Sequence, residues 1–148
     1  MPRLSEFSKP GFVLASVSAA CVLLSACGRG SSTPVASLNG VAATGAGLAN
    51  AAITAKCTSG APIVGTTAAD GSFTLSLSGG KVAPCMLQVV GGTPSVTLHG
   101  FALEAGRVYI TPLTDLVITK MLDTDPSIGF ASFDAAKAGV VKTGLDAA

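Results

Sequence analysis

The sequence predicts a mainly β protein, a small antiparallel β-sandwich followed by one or two short C-terminal helices. The chain has 148 residues, which is enough for one domain with one sizeable core. Glycine accounts for 18 residues and only 11% of the chain is charged, so neither a charge-rich disordered chain nor a helix-rich cytosolic protein fits. Short apolar or alternating runs recur about every ten residues, as in Ig-like sandwiches.

The low net charge and the low aromatic content argue against a nucleic-acid partner. The net charge is +1, aromatic residues make up 5% of the chain, and tryptophan is absent. A nucleic-acid surface needs clustered basic side chains with stacking rings, so no nucleic-acid partner is expected. The paired glycines at 79–80 and 91–92 neither open a helix nor precede a Lys-Ser/Thr pair, which argues against phosphate cradles. No cofactor is expected.

The first 26 residues have the order of a secretory signal peptide. Arg3 and Lys9 precede an uncharged run of sixteen residues, 11–26, which is shorter than the ~20 residues needed to span a bilayer. The run ends in Leu-Ser-Ala-Cys, which resembles the lipobox of bacterial lipoproteins. That resemblance implies a diacylglycerol on Cys27, with further acyl chains such as palmitate. The alternative is a plain secretory signal with a chance cysteine; Cys21 lacks the leucine three residues before it.

Lipidation at Cys27 would place the mature chain, 27–148, on a membrane. Gly28 rather than Asp follows the cysteine, which by resemblance to bacterial sorting rules favours the outer membrane, on its periplasmic or surface face. The mature chain has seven basic and seven acidic residues. Because its net charge is zero, acyl chains rather than electrostatics must hold it on the lipid. Residues 27–36, rich in Gly, Ser and Pro, are predicted to be a flexible tether.

The β-sandwich is predicted over residues 37–110. Phe73, Leu75 and Leu77 alternate with polar residues, so one face of that strand is core and the other is wet. Asp70 and Gly71 predict a hairpin turn between the third and fourth runs, with Asp70 a turn residue. The seven runs are 37–42, 51–57, 62–67, 72–77, 85–90, 95–101 and 107–110.

Cys57 and Cys85 remain as an even pair once Cys21 leaves with the signal and Cys27 takes lipid. In an oxidising compartment they are expected to form a disulfide. The bridge would close a loop of 29 residues, 57 to 85 inclusive, and contribute roughly 3 to 4 kcal/mol. The alternatives are a metal pair or a redox site, but the pair has neither zinc-ligand spacing nor a Cys-x-x-Cys motif.

Two glycine-punctuated stretches resemble the carboxypeptidase regulatory-like domain. They are L-x-G-x-x-x-x-G-x-G-L-A-N-A-x-I over 38–53 and T-T-x-x-D-G-S-F-T-L over 66–75. The resemblance covers about 37–90. It implies a transthyretin-like, or prealbumin-like, sandwich that acts as a structural or adhesive module and has no catalytic residues of its own.

Residues 111–148 are predicted to be helical. Thr111 is an N-cap candidate, Pro112 stands at the first helical position, and an acidic residue follows in the first turn. Leu113, Leu116, Val117 and Met121 are expected on the face that packs on the sandwich. A second, weaker helix is expected from Ser132 as cap. The final residues lack a C-cap, which suggests a truncated version of a longer lipoprotein.

Candidate chemistry is sparse. His99, the only histidine, lies in an alternating run with no nucleophile elbow, so a strand histidine is favoured over a catalytic one. Asp123 and Asp125 have the opening spacing of a calcium loop, but the following proline favours a turn, and no metal site is expected. The sequence therefore predicts a non-catalytic envelope lipoprotein with an unidentified envelope protein as partner. The alternative is a carbohydrate-binding accessory module, for which few aromatic residues are available.

Overall fold

The computed structural model describes residues 35–147, which form seven strands and then three helices. The strands are β1 (Ser37–Ala42), β2 (Ala52–Ser59), β3 (Ile63–Thr66), β4 (Ser72–Ser76), β5 (Val82–Gly91), β6 (Val96–Ala102) and β7 (Gly106–Ile110). The helices are α1 (Pro112–Leu122), α2 (Pro126–Ala131) and α3 (Ala135–Asp146). The predicted mainly β class and small β-sandwich are confirmed, and the helices number three rather than one or two.

The strands form two sheets, in the orders β4-β1-β7 and β3-β2-β5-β6. All pairs of the four-stranded sheet are antiparallel. In the three-stranded sheet β1 is antiparallel to β4 but parallel to β7, with Leu38 opposite Gly106. The predicted antiparallel sandwich therefore contains one parallel pair, β1 with β7. A parallel pair needs a long connection, and here residues 43–105, which include the other five strands, connect β1 to β7.

The turn before β4 joins the two sheets instead of closing a hairpin. β3 pairs only with β2, whereas β4 pairs with β1, so the predicted hairpin is absent. The turn residues themselves are as expected: Asp70 Oδ1 accepts from the backbone N–H and hydroxyl of Ser72, at 2.9 and 2.6 Å. Gly71 has φ +80°, and a Cβ there would lie 2.4 Å from the carbonyl oxygen of Ala42. Only glycine fits this corner.

The main core lies between the two sheets. Alternate residues of each strand point inward, so that the predicted period-two pattern of β4 buries Phe73 and Leu75. The larger core residues are Leu38, Leu48, Ile53, Phe73, Leu75, Leu87, Val89, Leu98, Val108 and Ile110.

A second, smaller core lies on the outer face of the four-stranded sheet. It consists of Met86, Ile118 and Phe130, with Phe101, Leu122 and Phe133 at its edge. The helices therefore cover a face that would otherwise be wet. Because β5 is buried on both faces, its middle residues form a nearly continuous apolar run rather than an alternating one.

The helix caps match the chemistry of their residues. Thr111 accepts from the backbone N–H of Thr114, and the Thr114 hydroxyl accepts from the N–H of Thr111, a reciprocal capping box. Asp125 caps α2 by accepting from the N–H of Ser127 at 2.8 Å, and Asp123 is the C-cap of α1, with φ 49°. The two aspartates that have the opening spacing of a calcium loop are therefore helix caps. The predicted cap Ser132 instead ends α2, and Asp134 caps α3.

The buried face of α1 differs from the predicted one. Ile118 is the residue of α1 that is buried, whereas Leu113 and Leu116 are 69% and 64% exposed. The helix is apolar on more than one side, so periodicity alone does not single out the face that meets the sheet. The contact with the sheet is set by Asp115, which bonds to His99 on β6.

Candidate functional site

The predicted lipid site cannot be located in the fold. Cys27, the signal residues 1–26 with Cys21, and most of the tether lie outside the described residues. The other two cysteines are joined. Cys57 and Cys85 stand directly opposite each other on β2 and β5, with an S–S distance of 2.07 Å, so the predicted disulfide forms across two neighbouring strands.

His99 is the centre of a buried polar group on β6. Its side chain is 2% exposed and faces the helices rather than the sandwich core. Nδ1 lies 2.7 Å from Asp115 Oδ1 on α1, and Nε2 lies 3.0 Å from the amide nitrogen of Gln88 on β5. A carboxylate only accepts, so Nδ1 carries the proton and Nε2 accepts from the Gln88 amide. Both ring nitrogens are therefore satisfied.

Asp115 joins the first turn of α1 to β6. The same oxygen that meets the ring also accepts from the backbone N–H of His99 at 2.9 Å. Next to it, the hydroxyl of Thr114 donates to the carbonyl oxygen of His99 at 3.0 Å. The backbone N–H and carbonyl oxygen of His99 are thus both bonded to side chains in the first turn of α1. The contact places Ile118, one turn further along α1, over the second core.

The cationic side chain of Lys56 lies against Phe130 of the second core. The Lys56 Nζ lies 4.8 Å from the centroid of the Phe130 ring and donates to the carbonyl oxygen of Ala131 at 2.9 Å. The Phe130 ring centroid is 6.0 Å from that of His99. Lys56 therefore ties β2 to the C-terminal end of α2, as Asp115 ties β6 to α1.

The His99 and Asp115 pair has the orientation of a catalytic dyad but lacks its third member. In a hydrolytic triad the second ring nitrogen faces a hydroxyl or thiol nucleophile. Here it faces Gln88, and the ring is closed off from solvent. His99 is the strand histidine that the sequence predicts, and both of its ring nitrogens are bonded inside the protein.

An apolar groove opens beside this cluster, between α1, α3 and the outer side of β7. Its volume is about 290 Å³. Leu113, Val117 and Met121 line it from α1, Val141 and Leu145 from α3, and Tyr109 from β7. Arg107 is the one charged residue of its lining, and its Nη1 lies 3.3 Å from the Tyr109 hydroxyl. Much of the α1 face that the sequence assigned to the core thus lines an open groove.

Two carboxylates have pKa values below their usual range. The Ser72 hydroxyl and then its backbone N–H hold the pKa of Asp70 low. The backbone N–H of Ser127 does the same for the pKa of Asp125. Both are cases of hydrogen bonding to the charged form, and both groups are turn or cap residues.

Across residues 35–147, no three His, Cys, Asp or Glu side chains come together as a metal site requires. Within the same residues, no helix is both long and apolar enough to cross a membrane. Comparison with protein-family models, curated proteins and solved structures finds no match to this chain.

Sequence reasoning missed the partner of His99 and the groove. Asp115 is the acidic residue that the sequence places in the first turn of the helix, and its position sixteen residues after the histidine gives no sign of contact. One signal was available: a polar residue in an otherwise apolar run must find a hydrogen-bond partner if the run is buried on both faces.

Proposed function

We propose that this protein is a non-catalytic lipoprotein of the bacterial cell envelope, anchored by lipid on Cys27, whose β-sandwich and helices bind a protein partner. The observation that carries the binding role is the apolar groove between α1 and α3. The anchor rests on the lipobox-like residues 24–27 after an uncharged run. The expectation of outer-membrane localisation belongs to the same proposal.

The disulfide supports export. Cys57 and Cys85 are bonded in the folded domain, and such bonds persist in oxidising compartments but are rare in the cytosol. The charge balance of the mature chain, seven basic and seven acidic residues, leaves attachment to acyl chains. A carboxypeptidase regulatory-like module, which residues 37–90 resemble, would serve the same structural or adhesive role.

The groove supports binding of a protein segment. Leu113, Val117 and Leu145 are exposed along it, although apolar side chains of this size gain free energy when they leave water. Their spacing on two neighbouring helices suits the apolar face of a partner helix. Sugar binding is disfavoured, because Tyr109 is the one exposed aromatic residue among residues 35–147 and sugar platforms need exposed rings.

The buried state of His99 supports a non-catalytic role. A general base must reach the proton that it removes, and both nitrogens of this ring are already bonded inside the protein.

Lipidation is tested by Cys27→Ala in a bacterial host. The variant should lose the mass of the acyl groups. It should then either keep its uncleaved signal segment, seen as a larger mass, or be cleaved and leave the membrane fraction. Cys21→Ala is the matched control, because that cysteine belongs to the signal and should leave mass and fractionation unchanged. If Cys27→Ala stays in the membrane with an unchanged mature mass, the anchor is wrong.

Partner binding is tested with Leu113→Lys, which puts a charge in the groove. A partner recovered by cross-linking to the full chain in its native envelope should be lost from this variant. Val64→Lys is the matched control, since Val64 is 76% exposed on β3 and away from the groove. Equal recovery with both variants would exclude the groove as the binding site.

A further inference from the structure

The chain enters the sandwich at a definite end. The carbonyl oxygen of Ala36 accepts from the backbone N–H of Leu77 at 2.7 Å. Ser37 then stands opposite Ser76, and Leu38 opposite Gly106, the first residue of β7. The chain therefore enters the sandwich beside the β4–β5 and β6–β7 loops. We call this end of the sandwich the tether end.

The tether end is apolar at its surface. Val35, Val82 and Leu103 are 61%, 56% and 41% exposed there. Val82 and Leu103 border a shallow depression that also includes Ala36 and Ala105. Exposed aliphatic side chains grouped in this way mark an interaction surface more often than isolated ones do.

The charges at the tether end balance. Lys81 and Glu104 line the same depression, one cation and one anion, and Lys81 Nζ donates to the carbonyl oxygen of Ser78 at 3.0 Å. A surface with this balance does not select anionic lipid by electrostatics. Its contribution to membrane contact would come from its aliphatic side chains.

The length of chain before the domain restricts where this end can go. Val35 is eight residues after Cys27, so at full extension the two are at most about 29 Å apart. A folded body of this size is roughly 34 Å across, from its expected radius of gyration. With Cys27 in a bilayer, a chain of this length lets the tether end reach the lipid, whereas the opposite end of the domain lies farther from Val35 than the chain can span. Holding it there raises its effective concentration at the lipid surface, and weak apolar contacts can then form.

We propose that the tether end rests on the phospholipid surface of the anchoring membrane, with Val82 and Leu103 in the interfacial region. This inference rests on the proposed acylation of Cys27. It assigns an orientation to the domain: the end with the β4–β5 and β6–β7 loops faces the lipid. The contact is apolar, so it should not strengthen when anionic lipid is added.

The absence of tryptophan from the chain provides a direct test. The full-length chain carrying L103W, processed in a bacterial host, is reconstituted into phosphatidylcholine vesicles with or without brominated acyl chains. Bromine quenches tryptophan within the bilayer. We expect at least a twofold loss of L103W emission with brominated lipid, a blue-shifted maximum, and no further change when a fifth of the lipid is anionic. V82W should behave in the same way, and it replaces L103W if that variant does not fold.

V64W is the matched control. Val64, on β3, is also an exposed valine. It stands opposite Thr54 of β2, and Thr54 in turn pairs with Gln88 of β5. Gln88 is six residues along β5 from Val82, so Val64 lies away from the tether end. Its emission should be the same in both kinds of vesicle. The contact is overturned if L103W and V82W are quenched no more than V64W.

The intact mass of each reconstituted sample reports acylation separately. An acylated protein with unquenched L103W overturns the contact and leaves the anchor standing. Quenched L103W in a protein without acyl groups supports the contact and overturns the anchor. A protein that is neither acylated nor quenched overturns both.

Discussion

His99 Nδ1 and Asp115 Oδ1 lie 2.7 Å apart, across the boundary between β6 and α1. The same carboxylate oxygen accepts from the backbone N–H of His99, so two donors of one residue converge on one acceptor. The pair connects the helices to the outer face of the four-stranded sheet. It also determines which side of α1 is buried and which side borders the groove.

Asp115→Asn should lower the free energy of unfolding by about 1–2 kcal/mol, because two charge-assisted hydrogen bonds become neutral ones. Urea denaturation followed by circular dichroism measures the change. Asp123→Asn is the control: it makes the same change of charge at an exposed residue with φ 49°, a conformation that Asn tolerates. If the two variants lie within about 0.5 kcal/mol of each other, the contact does not stabilise the fold.

Thr67→Val should cost about 2–4 kcal/mol, although the side chain keeps its shape. The Thr67 hydroxyl accepts from the backbone N–H of Ala51 at 2.8 Å and donates to the carbonyl oxygen of Leu48, and the residue is buried. Valine leaves both backbone groups without that partner. Thr66→Val, at an exposed position next to it, should change the urea midpoint little; equal effects would contradict the assignment.

Reduction of the Cys57–Cys85 disulfide should lower the free energy of unfolding by roughly 3–4 kcal/mol. The variant with both cysteines replaced by alanine should show a similar loss and should not respond to dithiothreitol. A native protein whose urea midpoint is the same with and without dithiothreitol would show that the bond contributes nothing.

Gly71→Ala should destabilise the protein by about 2–5 kcal/mol. It adds the cost of a positive φ to a clash between the new Cβ and the Ala42 carbonyl oxygen. Gly80→Ala separates the two causes, since Gly80 has φ +77° with open space around it, and should cost about 1–2 kcal/mol. Thermal unfolding compares them. Equal losses would mean that the corner can relax around a methyl group.

Acid should remove the stabilisation that Asp70 provides. Its folded pKa lies below the unfolded value of about 3.9, so its contribution is complete above that value and is lost as pH falls through the folded pKa. Asp70→Asn should therefore show a smaller loss of thermal stability between pH 6 and pH 2.5 than the native protein. Ser72→Ala should remove the larger part of the same difference, because the Ser72 hydroxyl is the main cause of the shift. An unchanged pH dependence in both variants would contradict this assignment.

Local patterns predicted the strands because their causes are local. The period of two in β4, the turn residues Asp70 and Gly71, and the cap Thr111 before Pro112 act within a few residues of chain. The pairing of Cys57 with Cys85 could also be predicted, because counting left one pair. The face of α1 could not, since its neighbours come from β6 and β7 and from α3.

The sequence by itself determined the seven strands and the first helix of this protein, its sandwich class and its disulfide. It also carries the lipobox-like segment, whose acylation stays a prediction. Tertiary structure decided the parallel pairing of β1 with β7, the meeting of His99 with Asp115, and the groove. These depend on residues far apart in the chain, whose contacts form only when two sheets and three helices pack at once. Local periodicity shows that a residue is apolar, but not which surface will cover it.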